Sequence, residues 1–82
     1  MIYRVSDPET GEESVMVIDR ANHLCVIIKL SLGHVTSLVA IARAMGVMSV
    51  LAITDTGTQG VALLDEGWKT VDLTVLEYKL RG

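Results

Sequence analysis

Residues 34–68, HVTSLVAIARAMGVMSVLAITDTGTQGVALLDEGW, constrain the fold more than any other stretch, because they read as helix, strand and helix in succession. Val35, Leu38, Val39, Ala42 and Met45 fall at the i, i+3, i+4, i+7 spacing of one buried helix face. Gly46 follows as a stop, since glycine takes the left-handed conformation after a helix without a Cβ clash. Residues 48–53 are short and almost continuously apolar, the pattern of a strand covered on both faces. Asp55-Thr56-Gly57-Thr58 breaks that run and offers several helix N-caps. The second helix is expected to run to about Glu66, with Val61 and Leu64 inward and Gly67 closing it. A strand, a helix and another strand in this order fit a parallel unit with a helical crossover.

The chain ahead of this stretch reads as three strands. Residues 2–5 (IYRV) have the length of an edge strand. Asp7-Pro8-Glu9-Thr10-Gly11 is a turn: Pro presets φ, and Gly accepts φ above zero. Residues 14–19 (SVMVID) return as the second strand, and Arg20-Ala21-Asn22-His23 connects onward, with Asn22 as the expected left-handed residue. Residues 24–30 (LCVIIKL) are apolar without a break until Lys29, which places them in the centre of the sheet. Short connections between these strands imply an antiparallel meander. Beyond the second helix, Val71, Leu73 and Val75 alternate with polar residues, and the phase then flips to Leu76, Tyr78 and Leu80. With no Gly, Pro or Asn there, the flip reads as a β-bulge in one long strand. The expected fold is a single α+β domain over residues 1–82, with a mixed sheet in the order β-β-β-α-β-α-β.

Composition narrows the function. Half of the 82 residues are hydrophobic, so a core can form, and with no Phe it is built from Leu, Val, Ile and four Met. A domain of this size gains stability by oligomerising. The formal charge is −3 and Lys and Arg nowhere cluster, whereas nucleic-acid binding needs grouped cations. No nucleic-acid partner is expected. The lone Cys25 cannot form an internal disulfide or a thiolate metal cluster, and its apolar neighbours make it a buried, inert thiol. The first residues lack the basic and apolar segments of a secretion signal. The apolar window 38–53 contains Arg43 and is too short to span a bilayer. A cytoplasmic setting with no membrane contact is the expectation.

The segment Ala62-Leu63-Leu64-Asp65-Glu66-Gly67-Trp68, preceded by Ala44-Met45-Gly46 and Val50-Leu51-Ala52-Ile53, resembles the later part of the GNAT N-acetyltransferase superfamily. Members have a meander, a helix, a strand, a second helix and a long final strand. Their second helix commonly ends in a tyrosine-containing turn closed by Gly-Phe, where this chain has Gly-Trp. The resemblance covers the chain against about the last two-thirds of a member, without the family's first strand and first two helices. It implies acetyl-CoA as cofactor, held by a basic, glycine-rich loop at a helix start. The matching segment is Lys29-Leu30-Ser31-Leu32-Gly33-His34, with a single Gly, no Arg and Leu32 at its middle. Leu63 stands where the family's proton-donating tyrosine would be.

The remaining chemistry-bearing residues are scattered. His23 and His34 flank the central strand eleven residues apart, roughly 30 Å along an extended chain, so they cannot share a metal ion. Asp55 follows a strand end and reads first as a helix cap. The serines show no spacing with His and Asp for an activated nucleophile. Trp68 reads either as a ring packed across the helix end or as an anchor for a partner interface. The expected function is a small non-catalytic GNAT-like domain that binds a protein partner, as a homodimer, with no cofactor and no metal. The alternative is a minimal acyl-CoA-dependent N-acetyltransferase, with Lys29, Leu30, Ser31, Gly33 and His34 around acetyl-CoA.

Overall fold

The computed structural model describes residues 1–54 and 57–80. Six strands form one mixed sheet: β1 (Ile2–Ser6), β2 (Glu13–Asp19), β3 (Leu24–Lys29), β4 (Ser49–Ile53), β5 (Lys69–Asp72) and β6 (Val75–Lys79). A 3₁₀ turn (Leu32–His34) leads into helix α1 (Val35–Ala44), and α2 (Thr58–Asp65) follows β4. The spatial order is β1-β2-β3-β4-β6-β5. β3 and β4 are parallel central neighbours, and every other pair is antiparallel. The antiparallel meander and a parallel β3-α1-β4 unit match the sequence pattern, whereas the strands after α2 pair antiparallel and do not extend a parallel section.

The end of the chain differs from the expected single bulged strand. Residues 69–79 form a hairpin, turning at Leu73-Thr74, and β6 inserts between β4 and β5. Asp72 Oδ1 accepts the Leu73 amide at 2.7 Å and supplies the turn chemistry without Gly or Asn. Thr54 grips the same turn, since its amide and hydroxyl both donate to the Thr74 carbonyl, at 2.8 and 3.2 Å. A bulge is present, but at Val71: Thr70 pairs with Leu76 and Asp72 with Val75. Turn and bulge together produce the phase flip. The element order is thus β-β-β-α-β-α-β-β.

Both helices pack on one face of the sheet. A single core joins Val35, Leu38 and Ala42 of α1 and Leu63 of α2 to the inward strand residues Met16, Ile27, Val50 and Leu76. β3 and β4 accordingly alternate between buried and part-exposed residues, and are covered on one face rather than two. Their outward Val26 and Leu51 are only half-buried despite their central position. Gly46 takes φ +75° after α1, as expected of a helix stop.

Two local expectations shift by one residue. Leu63, 1 % exposed, is the inward residue of α2, whereas Leu64 is 48 % exposed and Val61 faces solvent. The left-handed residue before β3 is His23, at φ +57°, not Asn22. Asn22 instead donates its side-chain amide to Asp19 Oδ2 at 2.8 Å and its backbone amide to Oδ1. These bonds hold the exposed Asp19 carboxyl below the usual carboxylate range. Cys25 is fully buried, and desolvation pushes its thiol pKa up. Asp55 lies outside the described residues, and Gly57 occupies the N-cap of α2. Among the described residues, no helix is long and apolar enough to cross a membrane.

Candidate functional site

The segment 29–34 leaves the carboxyl end of β3, a side on which parallel α/β units often bind ligands. Its course is set by a bulge. Val15 pairs with Lys29 and Met16 with Ile27, so Ile28 is an extra residue in β3. Both Ile28 and Lys29 are exposed, and Leu30 returns to the core. A bulge bends its strand and locally disrupts pairing. Here β3 pairs with β4 only from Leu24 to Ile27, and Ile53 at the end of β4 pairs with β6 alone. The two parallel strands therefore part at their carboxyl ends. Gln59 of α2 spans the gap, donating from Nε2 to the Leu30 carbonyl at 2.7 Å.

Ser14, fully buried on β2, organises the segment that follows. Its Oγ accepts the Ser31 amide at 2.8 Å and lies 2.8 Å from His34 Nδ1. The hydroxyl can donate to Nδ1 or accept from it, according to the imidazole tautomer, while it accepts the Ser31 amide. A Ser–His contact of this length has the form of a nucleophile and its base. The burial of Ser14 argues against that use, and among the described residues no carboxylate hydrogen-bonds the His34 ring. The pair is a clamp between β2 and the entry to α1. Ser14→Ala is expected to cost about 2 kcal/mol, because it leaves the Ser31 amide and Nδ1 without their partner. Chemical denaturation measures the loss, with faster hydrogen exchange at the Ser31 amide as its local signature. A loss under about 0.5 kcal/mol would mean that water replaces the hydroxyl.

The same bonds decide what the segment offers an anion. The amides of Ser31, His34 and Val35 already donate to Ser14 Oγ, the Ser31 carbonyl and the Leu32 carbonyl. Lys29 Nζ lies 3.4 Å from Glu13 Oε1, both on the open face of the sheet. A Cβ at Gly33 would stand 4.0 Å from Glu12 Oε2, so a carboxylate borders the one glycine of the loop. A pyrophosphate needs several convergent donors and no adjacent anion. These residues present few of the first and one of the second.

The other candidates lie apart from this segment. Leu63 is core packing under α2 and has no group to transfer a proton. Trp68 is 3 % exposed, so its ring belongs to the core and offers no surface to a partner. It packs on Tyr78 with ring centroids 5.4 Å apart. His23 and His34 lie at opposite ends of β3. Among the described residues, no three His, Cys, Asp or Glu side chains group as metal ligands. Hollows beside Trp68, beside Leu64 and beside Lys79 hold about 170, 230 and 240 Å³. Each is smaller than the roughly 300–1,000 Å³ of small-molecule sites.

Ser14, Glu12 and Gln59 are the residues that sequence reasoning did not single out. Ser14 carried one signal, as a polar residue opening an otherwise apolar strand. No spacing rule connects it to residues 17 and 20 positions further on. No family model, no curated protein and no solved structure matches the chain.

Proposed function

We propose that the chain is a reduced GNAT-like domain that transfers no acetyl group and acts by binding another protein chain through the open face of its sheet. The observation that carries this reading is the placement of both helices on one side. It leaves an outer face on which Ile2, Ile28 and Ile53 are 62, 50 and 43 % exposed around the half-buried Val17, Val26 and Leu51. Contiguous exposed apolar surface of this kind marks interaction sites. The β3-α1-β4 crossover is compatible with the GNAT-like part of the reading, which rests on the sequence resemblance, whereas the closing hairpin departs from the family's long final strand. The occupied amides of Ser31, His34 and Val35 and the Glu12 carboxylate beside Gly33 support its non-catalytic part.

Titration calorimetry with acetyl-CoA tests the proposal against the minimal acetyltransferase. No saturable binding is expected, and no acetyl transfer to amine substrates. Micromolar binding that disappears in Gly33→Val would overturn the proposal and make 29–34 a cofactor loop. A Cβ at Gly33 meets only ordinary contacts, so this variant reports on binding rather than on folding.

A further inference from the structure

The occupant of the open face is left unspecified by the function proposed above, on which this inference rests. We infer that it is a second copy of this chain, related by a two-fold axis lying between the two sheets and running along the seam of β3 and β4. The argument comes from the register. Residues paired across strands project to the same face, so the outward residues form rows across the sheet. The middle row contains Ile2, Val17, Val26, Leu51, Glu77 and Lys69, from β1 through to β5. One neighbouring row contains Asp19, Leu24, Ser49 and Lys79. The other begins with Arg4, Val15 and Lys29 and ends with Ile53, Val75 and Asp72.

The axis keeps each residue in its row and reverses the row from side to side. β3 then lies over β4 of the second copy, β2 over β6, and β1 over β5. Val26 meets Leu51 at the centre, and Ile28 and Lys29 approach Ile53; Val15, opposite Val75, is already buried within its own chain. Asp19 falls opposite Lys79, and Arg4 falls opposite Asp72. Both charged matches are of opposite sign, and two-fold symmetry makes each occur twice. Glu77 falls opposite Val17 and Lys69 opposite Ile2, with Glu77 and Lys69 side by side in their own row. The centre of the face and its two charged matches thus complement each other, although the halves share no sequence, while the flanks of the middle row set apolar against charged residues.

Size agrees with this arrangement. The widest projection of the chain spans 33 by 25 Å. That outline, loops included, sets an upper bound on the covered area near the roughly 800 Å² per partner of a stable, specific interface. Two sheets packed face to face in near alignment, about 10 Å apart, form an ordinary sandwich core.

Sedimentation of the full chain over the micromolar range should show a reversible dimer. Val26→Lys should give a monomer with unchanged circular dichroism. Lys79→Glu places like charges opposite Asp19 and should weaken the dimer by at least about tenfold. Adding Asp19→Lys to Lys79→Glu should restore it, since the pair is then reversed rather than broken. Asp19 also accepts the Asn22 bonds of the β2–β3 turn, and circular dichroism of the double variant, expected to match the wild type, separates the rescue from a change in that turn. A wild-type monomer throughout the range would overturn the inference, as would a dimer indifferent to Val26→Lys or a double variant no tighter than Lys79→Glu. A monomer that also fails to bind acetyl-CoA would remove the second copy and leave the docking reading standing. Acetyl-CoA binding by an intact dimer would do the reverse.

Discussion

Replacing Leu63 with Ala is expected to cost about 2–5 kcal/mol, and replacing its neighbour Leu64 less than about 1 kcal/mol. Leu63 is closed off among the core residues that join α2 to the sheet, while nearly half of Leu64 is in water. Truncating a buried leucine loses its transfer energy and leaves a cavity that the surroundings only partly fill. Truncating an exposed one loses little of either. Leu38→Ala belongs with Leu63→Ala, since Leu38 is the fully buried centre of the α1 face. Urea denaturation of the three variants orders them directly. A larger loss for Leu64 than for Leu63 would put α2 in the wrong rotation about its axis.

Trp68→Ala is expected to cost about 3–5 kcal/mol, the upper part of the range for a single core substitution. Trp68 lies just past Gly67, which turns the chain at φ +94°, and the Trp68 amide returns to the Leu63 carbonyl at 3.1 Å. The ring therefore closes the end of α2 against Tyr78 of β6. Removing it opens the junction between α2 and β6, the strand inserted between β4 and β5. A loss of this size is a large share of the 5–15 kcal/mol that stabilises a typical domain. Circular dichroism is the appropriate probe, because Trp68 is the only tryptophan and the variant has no indole emission. The wild type should emit in the blue and resist quenching by iodide. Quenching as efficient as that of free tryptophan would contradict the burial and return Trp68 to the role of a surface anchor.

The elements legible in the chain before folding are those whose signals repeat within a few residues. The α1 face was legible because five apolar residues keep one helical phase: Val35, Leu38 and Ala42 are buried, and Val39 and Met45 pack partly buried against them. The first hairpin followed from Asp7-Pro8 and Gly11, and the central parallel pair from two unusually apolar runs joined by a helix. α2 was less legible because eight residues give barely two turns, and adjacent leucines at 63 and 64 satisfy the pattern in either rotation. Which leucine turns inward is decided by the sheet beneath. Residues 69–79 could not be resolved into two strands, since Leu73-Thr74 lacks the usual turn residues and β6 is held by β4, more than twenty positions earlier. The one-sided cover of β3 and β4 was likewise invisible, because a strand's own residues do not state on which side its connecting helices fall. The clamp of Ser14 on Ser31 and His34 exists only after β2 and β3 have paired. Local periodicity is encoded within a few residues, whereas pairing order, sheet cover and the clamp depend on contacts between distant segments, which only the folded chain brings together.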